Sequence, residues 1–263
     1  MITLSKIFVY PIKSTAPVEL DAVSAEPEGL AHDRRYVVTD EKNRFLTARR
    51  FPRMLLIRSE ITGESLRVTA PEHTTLLLSP TTFPDVYEPM TIWRDTVQAQ
   101  RCGPEADEWM SRFLGIKARL FYMGTDSCRT TRDGGVVSFA DGAPLLVLSE
   151  ATVADLNTRL AKPVTIRNFR PNFVVSGAAA YAEDDWADFS IDGVRFASLH
   201  RCARCILTTI DPLTAQPDAQ RQPLTTLLEY RRGEDGQAYF GRNVAVRSDG
   251  IVRTGEPVVF DPN

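Results

Sequence analysis

The chain has 263 residues, of which 43% are hydrophobic and 25% are charged, and its formal net charge is -3 at pH 7. This is the composition of an ordinary globular protein, with enough residues for one large domain or two smaller ones. The small negative charge gives no general attraction to nucleic acid or anionic membranes, and no apolar run is long enough to span a bilayer. We therefore expect neither a nucleic-acid partner nor a membrane partner.

The cysteine content and the N-terminus predict a cytoplasmic protein with reduced thiols. Four cysteines in a chain of this length do not make a disulfide scaffold. The first residues enter a strand pattern directly, without the basic and apolar regions of a secretory signal. Arginine supplies most of the positive charge, which suits an anionic ligand because the guanidinium group is a planar donor fork, although a codon bias explains the same excess.

The first part of the chain consists mainly of short segments of strand character. Their alternating apolar residues and the turn signals between them predict strands at 4–10, 35–40, 54–59, 65–70, 75–78 and 90–93. Apolar residues at helical spacing then predict a helix over 104–114, with Gly115 as its C-terminal cap.

The second part begins with a polar segment, 126–135, that predicts a surface loop. A buried strand is expected at 145–148 and a helix at 149–160, with Ser149 as the N-cap. Further strands are predicted at 172–176, 188–191, 194–197, 244–247 and 251–260. Short strands at this density, with frequent Pro and Gly, favour a mostly β (α+β) protein built as a barrel or sandwich.

The residues with the clearest chemical potential are Cys202 and Cys205, which stand three apart beside Arg201 and Arg204. Neighbouring guanidinium groups favour thiolate over thiol, so at least one sulfur should be a good nucleophile and a good soft-metal ligand. A strand-like run follows the pair and ends in a turn at Asp211.

The cysteine pair has several alternative interpretations. Both residues can be small core hydrophobes. A thioredoxin-type redox pair would open a helix, whereas β-branched residues follow Cys205 here. A structural zinc site would need further ligands, and Cys102 and Cys128 lie far away in the sequence without a second closely spaced pair. A single-cysteine metal site stays open, and the local sequence does not choose between the two sulfurs.

Three other short segments carry groups that bind anions. Lys13 and Ser14 follow the first strand, and a lysine followed by hydroxyls can hold a phosphate, although the glycines of a nucleotide-hydrolysing loop are missing. Arg34 lies in a second arginine-rich segment. Arg170 and Asn172 flank a proline, which biases Arg170 toward an extended backbone. Each segment is a weak signal alone, and the segment of Arg170 and Asn172 alone is better explained as a surface turn.

Taken together in order, these segments and several others resemble the MOSC family. The resemblance rests on the blocks Tyr10–Ser14, Gly29–Arg34, Phe45–Arg49, Leu148–Ala151, Phe169–Asn172, Tyr181–Asp184, Arg204–Pro212, Pro223–Leu227 and Phe240–Gly241. It runs almost end to end and includes the N-terminal barrel that accompanies this domain in amidoxime-reducing components and their bacterial relatives. It implies a β-barrel MOSC core over 117–263 and a β-rich, barrel-like N-terminal domain over 1–116, with a few helices.

The resemblance also implies a molybdenum-pyranopterin cofactor. The sulfur of Cys205 would ligate the molybdenum, and Cys202 would be a neighbour that is not the ligand. Asp141 would lie near the open face of the metal as a catalytic residue that relays protons, although Gly142 and Ala143 follow it where relatives can carry hydroxyls. The cofactor contacts that match the family are Lys13, Ser14, Arg34, Arg170, Asn172, Ala203 and Arg204.

The activity implied by the resemblance is a two-electron reduction of N-hydroxylated bases, amidoximes and hydroxylamines, with the oxygen leaving as water. We expect a separate electron donor of ferredoxin or flavoprotein type, because the sequence carries no iron–sulfur motif of its own. At the level of the domain family alone, the resemblance also carries pyridoxal phosphate binding. Two alternatives stay open, namely a sulfur carrier or cofactor-handling protein with a persulfide on Cys205, and a non-enzymatic metal- or anion-binding barrel.

Overall fold

Strands are the most frequent regular elements of the structure, a computed structural model that describes residues 1–131 and 135–260. Three α-helices and several short 3-10 helices complete the described part of the chain. The mostly β fold class predicted from the sequence is confirmed. In the described ranges, no helix has the length and apolar character needed to cross a membrane.

The regular elements follow one another as short strands with few helices between them. The strands are β1 (Thr3–Val9), β2 (Val18–Leu20), β3 (Ala22–Glu26), β4 (Gly29–Leu30), β5 (Tyr36–Asp40), β6 (Arg58–Thr62), β7 (Ser65–Thr69), β8 (Leu76–Leu78), β9 (Tyr87–Ile92), β10 (Asp95–Arg101), β11 (Ala118–Tyr122), β12 (Leu145–Ser149), β13 (Phe173–Ser176), β14 (Phe189–Ile191), β15 (Val194–Arg204), β16 (Ala238–Val246), β17 (Gly250–Arg253) and β18 (Val258–Phe260). The α-helices are α1 (Pro104–Leu114), α2 (Glu150–Asn157) and α3 (Leu224–Tyr230). The 3-10 helices lie at Pro52–Leu56, Pro80–Thr82, Ile166–Phe169, Ala182–Asp185 and Ile206–Thr209.

An eight-stranded sheet, curled into a half-barrel, dominates the fold. Its strand order is β18-β14-β15-β16-β12-β13-β1-β2. A four-stranded sheet has the order β5-β11-β10-β9, and two three-stranded sheets have the orders β17-β3-β4 and β6-β7-β8. The curled sheet agrees with the predicted barrel-like core.

The two ends of the sequence share sheets. Strand β1 pairs antiparallel with β13, so that Thr3 lies opposite Ser176, and β3 pairs with β17. Side chains from both halves accordingly meet in one buried cluster that includes Leu4, Val23 and Val252. The division into domains at 1–116 and 117–263 stays a prediction, and residues 132–134 and 261–263 of the second range lie outside the described residues.

Local sequence signals place several elements correctly. Helix α1 spans the predicted residues, buries Trp109 and Phe113, and ends at Gly115 with a left-handed backbone (φ 70°) that favours glycine. Helix α2 begins after Ser149, whose hydroxyl accepts a hydrogen bond from the backbone N–H of Ala151 at 3.2 Å. Capping chemistry therefore sets the end of α1 and the start of α2.

The strand predicted at 54–59 is wrong in its first half. Residues Pro52–Leu56 form a 3-10 helix, and strand β6 begins only at Arg58. Pro52 lies in the first helical turn, where a fixed φ favours helix, and the N–H of Met54 bonds to the carbonyl of Phe51 at 3.0 Å. The apolar side chains still reach the core, because Met54 and Leu55 are buried from the helical turn.

Two further predictions need correction. The C-terminal segment 251–260 forms two strands, β17 and β18, because Gly255 has a positive φ of 87° and breaks the run. In the predicted surface loop 126–135, residues 132–134 lie outside the described residues, and Arg129 is buried with 7% of its surface exposed. That arginine is buried because its guanidinium group donates to the carbonyls of Ser138, Ala140 and Asp141.

A buried carboxyl group holds α2 against the neighbouring 3-10 helix. Glu183 is fully buried, and its two oxygens accept hydrogen bonds from the backbone N–H of Ser149 at 3.1 Å and the hydroxyl of Thr152 at 3.0 Å. Burial raises the pKa of this carboxyl above its ordinary value, against the effect of those bonds. The two donors have no access to water, so they depend on Glu183.

We expect Glu183→Ala to lower the free energy of unfolding by about 2–4 kcal/mol, because it leaves two buried donors without an acceptor. Urea denaturation measures the change. The matched control is Asp185→Ala, at an exposed acid two residues further on, which should change stability by less than about 0.5 kcal/mol. Equal losses in the two variants would contradict the assigned role of Glu183.

Candidate functional site

A single cavity of about 630 Å³ collects the residues that the sequence analysis selected. All nine of them line it, and they come from both halves of the chain: Lys13, Ser14, Arg34, Asp141, Arg170, Asn172, Ala203, Arg204 and Cys205. Cys202 lines it as well. The roles assigned to these residues stay predictions, but the structure does bring them together.

The cysteine segment reaches the cavity through an irregular strand. In a regular strand alternate side chains point to opposite faces, yet every residue from His200 to Cys205 lines this cavity. Strand β15 has two register shifts against β16, between Ser198 and Arg201 and between Arg201 and Ala203. Such bulges interrupt the alternation and redirect side chains, which explains how six consecutive residues share one cavity.

The segment after Cys205 is a 3-10 helix and not the predicted strand-like run. The hydroxyls of Thr208 and Thr209 donate back to the carbonyls of Cys205 and Ile206 at 2.9 and 2.8 Å. These local bonds offer the backbone an alternative to a sheet ladder, and they outweigh the β-branched character of the residues. Cys205 is consequently half-buried where the long strand ends and the helical turn begins.

Arg204 contacts the first cysteine of the pair. Its Nη1 donates to Sγ of Cys202 at 3.0 Å, and its Nη2 donates to the carbonyl of Phe169 at 2.6 Å. Its Nε is buried and has no hydrogen-bond partner among the described residues. The guanidinium group is thus fixed beside the cysteine pair, and its buried Nε–H stays unused by the described residues.

Two of the cavity arginines contact the same aromatic ring. The guanidinium carbons of Arg34 and Arg170 lie 4.2 and 4.1 Å from the centroid of the Tyr10 ring. Cation–π contact offsets part of the repulsion between two like charges. Burial lowers the pKa of Arg170 to about 10 and raises the pKa of Tyr10 to about 12, so the arginine is charged and the phenol is neutral near pH 7.

Asn172 and Asp33 hold Arg34 in this arrangement. Both residues are buried, and each accepts a hydrogen bond from Nη1 of Arg34. Asp33 also accepts from the backbone N–H of Tyr10 at 2.8 Å, and Asn172 donates to the carbonyl of Phe8 at 3.0 Å. Most of the bonding capacity of Asn172 is therefore used inside the protein, which favours a positioning role.

Arg170 has a left-handed backbone and not the predicted extended one. Its φ and ψ are 57° and 46°, and its N–H closes the preceding 3-10 helix by bonding to the carbonyl of Arg167 at 3.2 Å. A following proline disfavours the right-handed helical region, and the left-handed region is the other way to end a helix. Nη1 of Arg170 donates to the carbonyl of Thr15 at 2.7 Å, which secures the side chain.

Lys13 and Asp141 form an ion pair at the cavity. The ammonium of Lys13 is buried and also donates to the carbonyl of Phe139 at 2.8 Å, whereas 56% of the Asp141 side chain is exposed. Burial lowers the pKa of Lys13 to about 8, although Asp141 opposes the shift. Desolvation would raise the pKa of Asp141, but the charge and hydrogen bond of Lys13 outweigh it and hold that pKa well below its usual range.

The pKa shifts of Lys13 and Asp141 bear on the proton relay expected of Asp141. A carboxylate with so low a pKa is ionised at neutral pH and is a weak base, whereas a lysine with a pKa of about 8 can gain or lose a proton near neutrality. The relay by Asp141 stays a prediction. The pair as a whole is better suited to it than the carboxyl group alone.

Three residues that contact the Asp141 segment were not selected as site residues from the sequence. Arg129 holds the Asp141 segment through its carbonyls, Nε1 of Trp93 donates to Asp141 at 3.0 Å, and Arg49 lies 3.9 Å from the same carboxylate. Arg49 occurred only as the end of a motif block. Trp93 could have been noticed in the sequence because it lies in a two-residue hairpin turn, where Asn or Gly is usual.

The depressed pKa of Lys13 predicts a pH dependence of stability. Its folded pKa of about 8 lies below the ordinary value of 10.5, so the unfolded state binds more protons between these pH values. The penalty for burying the ammonium therefore disappears as pH rises from 8 to 10.5, and Lys13→Met lacks that penalty throughout. Across this range we expect the unfolding free energy of the wild type to rise by about 2–3 kcal/mol relative to that of Lys13→Met.

Urea denaturation at a series of pH values measures that shift. Lys42→Met is the matched control, because Lys42 is exposed on a turn, and its difference from wild type should stay constant. A constant difference for Lys13→Met as well would contradict the burial argument.

Comparisons with known proteins match both halves of the chain. The model of the MOSC N-terminal beta barrel domain matches residues 1–117, and the model of the MOSC domain matches residues 134–259. The mitochondrial amidoxime-reducing component 1 of Mus musculus is 35% identical, with alignment over 97% of this chain and 81% of that protein. The mitochondrial amidoxime reducing component 2 of Homo sapiens is 34% identical over 97% and 82%.

These matches support a function related to the molybdenum cofactor in general and give no support to pyridoxal phosphate binding. They cover both halves of the sequence and agree with the resemblance carried by its motifs. The chain belongs to the MOSC family, with the N-terminal beta barrel domain and the MOSC domain that it shares with the amidoxime-reducing components.

Proposed function

We propose that this protein is a molybdenum cofactor-dependent reductase of N-hydroxylated compounds, with Cys205 as the metal ligand. The observation that carries the proposal is the cavity itself, where the half-buried Cys205 and a cluster of cations lie together. Relatives named for amidoxime reduction align over nearly the whole chain. When bound, the cofactor would supply the two-electron reduction that converts an N–OH group to N–H and water.

The residues present fit an anionic, oxygen-rich cofactor. The lining carries six Lys or Arg residues against two carboxylates: Lys13, Arg34, Arg49, Arg170, Arg201 and Arg204, with Asp141 and Asp235. Several of their donors are unused by the described residues, including the buried Nε of Arg204 and all but one N–H of Arg170. Unpaired donors beside a thiol are what a phosphate-bearing group with a soft metal requires.

The chain's own residues would bind and orient the cofactor. Arg170, Arg204 and the hydroxyl of Ser14 are the donors best placed to hold it, because each lines the cavity with bonding capacity left. Asn172 would act through Arg34, which it fixes. Ala203 would contribute its backbone in the bulged strand, where the register shift disturbs the ladder.

Lys13 and Asp141 would manage protons near the substrate. The ammonium has three donors, of which Phe139 and Asp141 accept two, so one remains for a cavity ligand. The exposed carboxylate of Asp141 would accept a hydrogen bond from a substrate N–H. Reduction of an N–OH group consumes protons, and a lysine with a pKa of about 8 is suited to supply one.

The proposal includes a separate electron donor of ferredoxin or flavoprotein type and a cytoplasmic location. The four cysteines are all free thiols, which supports a reducing compartment.

The metal content of the purified protein tests the proposal. Expressed in a host that makes the cofactor, the wild-type protein should carry close to one molybdenum per chain and should reduce benzamidoxime with a chemical reductant. We expect Cys205→Ala to lose the metal and the activity, because the thiolate ligand is gone. The matched control, Cys202→Ala, should keep most of the molybdenum.

Two results would overturn this assignment. Cyanolysable sulfur on Cys205 in a molybdenum-free protein would identify the sulfur-carrier alternative. Loss of metal in Cys202→Ala with retention in Cys205→Ala would assign the ligand to the other sulfur, which Arg204 contacts.

A further inference from the structure

Trp93 occupies an unfavourable position in the β9–β10 hairpin. Ile92 pairs with Asp95, so Trp93 and Arg94 form a two-residue turn. Trp93 has a φ of 55°, in the left-handed region that such turns normally fill with Asn, Asp or Gly. A bulky aromatic residue is a genuine outlier there, and outliers of this kind concentrate at functional sites.

The indole of Trp93 is held at the cavity and does not extend freely into solvent. Its Nε1 donates to Oδ1 of Asp141 at 3.0 Å, and the guanidinium carbon of Arg49 lies 4.7 Å from its ring centroid. The ring of Phe45 packs at a centroid distance of 4.8 Å. Despite these contacts 42% of the tryptophan surface stays exposed, and the residue lines the cavity together with Asp141.

The surroundings of Trp93 combine a flat apolar surface with an ionised acceptor. Lys13 and Arg49 keep the adjacent Asp141 charged, and 56% of its side chain is exposed. A conjugated amidoxime presents the complementary groups, namely a planar π system and an amino group that donates hydrogen bonds. Aromatic rings pack well against an indole, and a carboxylate accepts strongly from such an amino group.

We propose that Trp93 is a specificity-determining residue that packs against the flat, conjugated substituent of the substrate while Asp141 accepts its N–H. This inference rests on the proposed function and narrows its substrates to those that carry an aryl or similarly planar group. Small aliphatic amidoximes make the Asp141 contact and lack the contact with Trp93.

The kinetic test compares two substrates on the molybdenum-loaded protein with a chemical reductant. We expect Trp93→Ala to raise the KM for benzamidoxime about tenfold more than the KM for acetamidoxime, with kcat for both within about twofold of wild type. Trp93→Phe should keep most of the preference, because it retains a ring. Arg94→Ala, at the other turn position and outside the cavity lining, is the matched control and should change neither KM.

Two measurements do not depend on turnover. Benzamidoxime added without reductant should change the intrinsic fluorescence of the wild-type protein, and Trp93→Phe should lose that change, since Trp109 and Trp186 are buried elsewhere. Trp93→Asn should unfold at the same temperature as wild type or higher, because Asn tolerates the left-handed backbone. If Trp93 served only the fold, Trp93→Asn would instead lower the unfolding temperature.

The outcomes separate this inference from the function on which it rests. If the molybdenum-loaded wild type reduces neither substrate, both proposals fail. If it reduces both and Trp93→Ala affects them equally, or lowers kcat alone, only the assignment of Trp93 is overturned. An unchanged fluorescence response in Trp93→Phe would also overturn it.

Discussion

Like charges held close together around one cavity are the constraint to which the rest of this structure responds. Ammonium and guanidinium groups repel one another and lose hydration when they are buried. Here Arg34 and Arg170 both contact the Tyr10 ring, and the buried Asp33 compensates the charge of Arg34. At another side of the cavity, Asp141 compensates the charge of Lys13. Without these arrangements the cations would have to move apart into solvent.

The backbone around the cavity is also strained. Ser14, Arg34, Trp93 and Arg170 all have positive φ values between 50° and 73°, and none is a glycine. Each such residue costs on the order of 1 kcal/mol relative to a relaxed backbone. The bulges of β15 add a further departure from regular geometry. Regular structure is concentrated instead in α1 and in the buried strands, where packing offsets the strained rim.

Much of the fold and the membership of the site could be predicted from the sequence, and the failures have physical reasons. Local signals placed α1 and the start of α2, because caps and apolar spacing act over a few residues. The motif blocks selected residues that do share one cavity. The turn after Cys205 and the burial of Arg129 depend on hydrogen bonds whose effect composition does not reveal. The position of Trp93 depends on Asp141, which is 48 residues away in the chain.

The sheet connectivity also determines when the cavity can form during synthesis of the chain. During translation the segment that carries Lys13 and Arg34 emerges early, but its neighbour β1 pairs with β13, and β15 requires β16 beside it. No nascent chain shorter than about the end of β16 at Val246 holds all the walls of the cavity at once. The cavity therefore exists only after β16 has been synthesised and has paired with β15, so any ligand that needs all of its walls docks after that point.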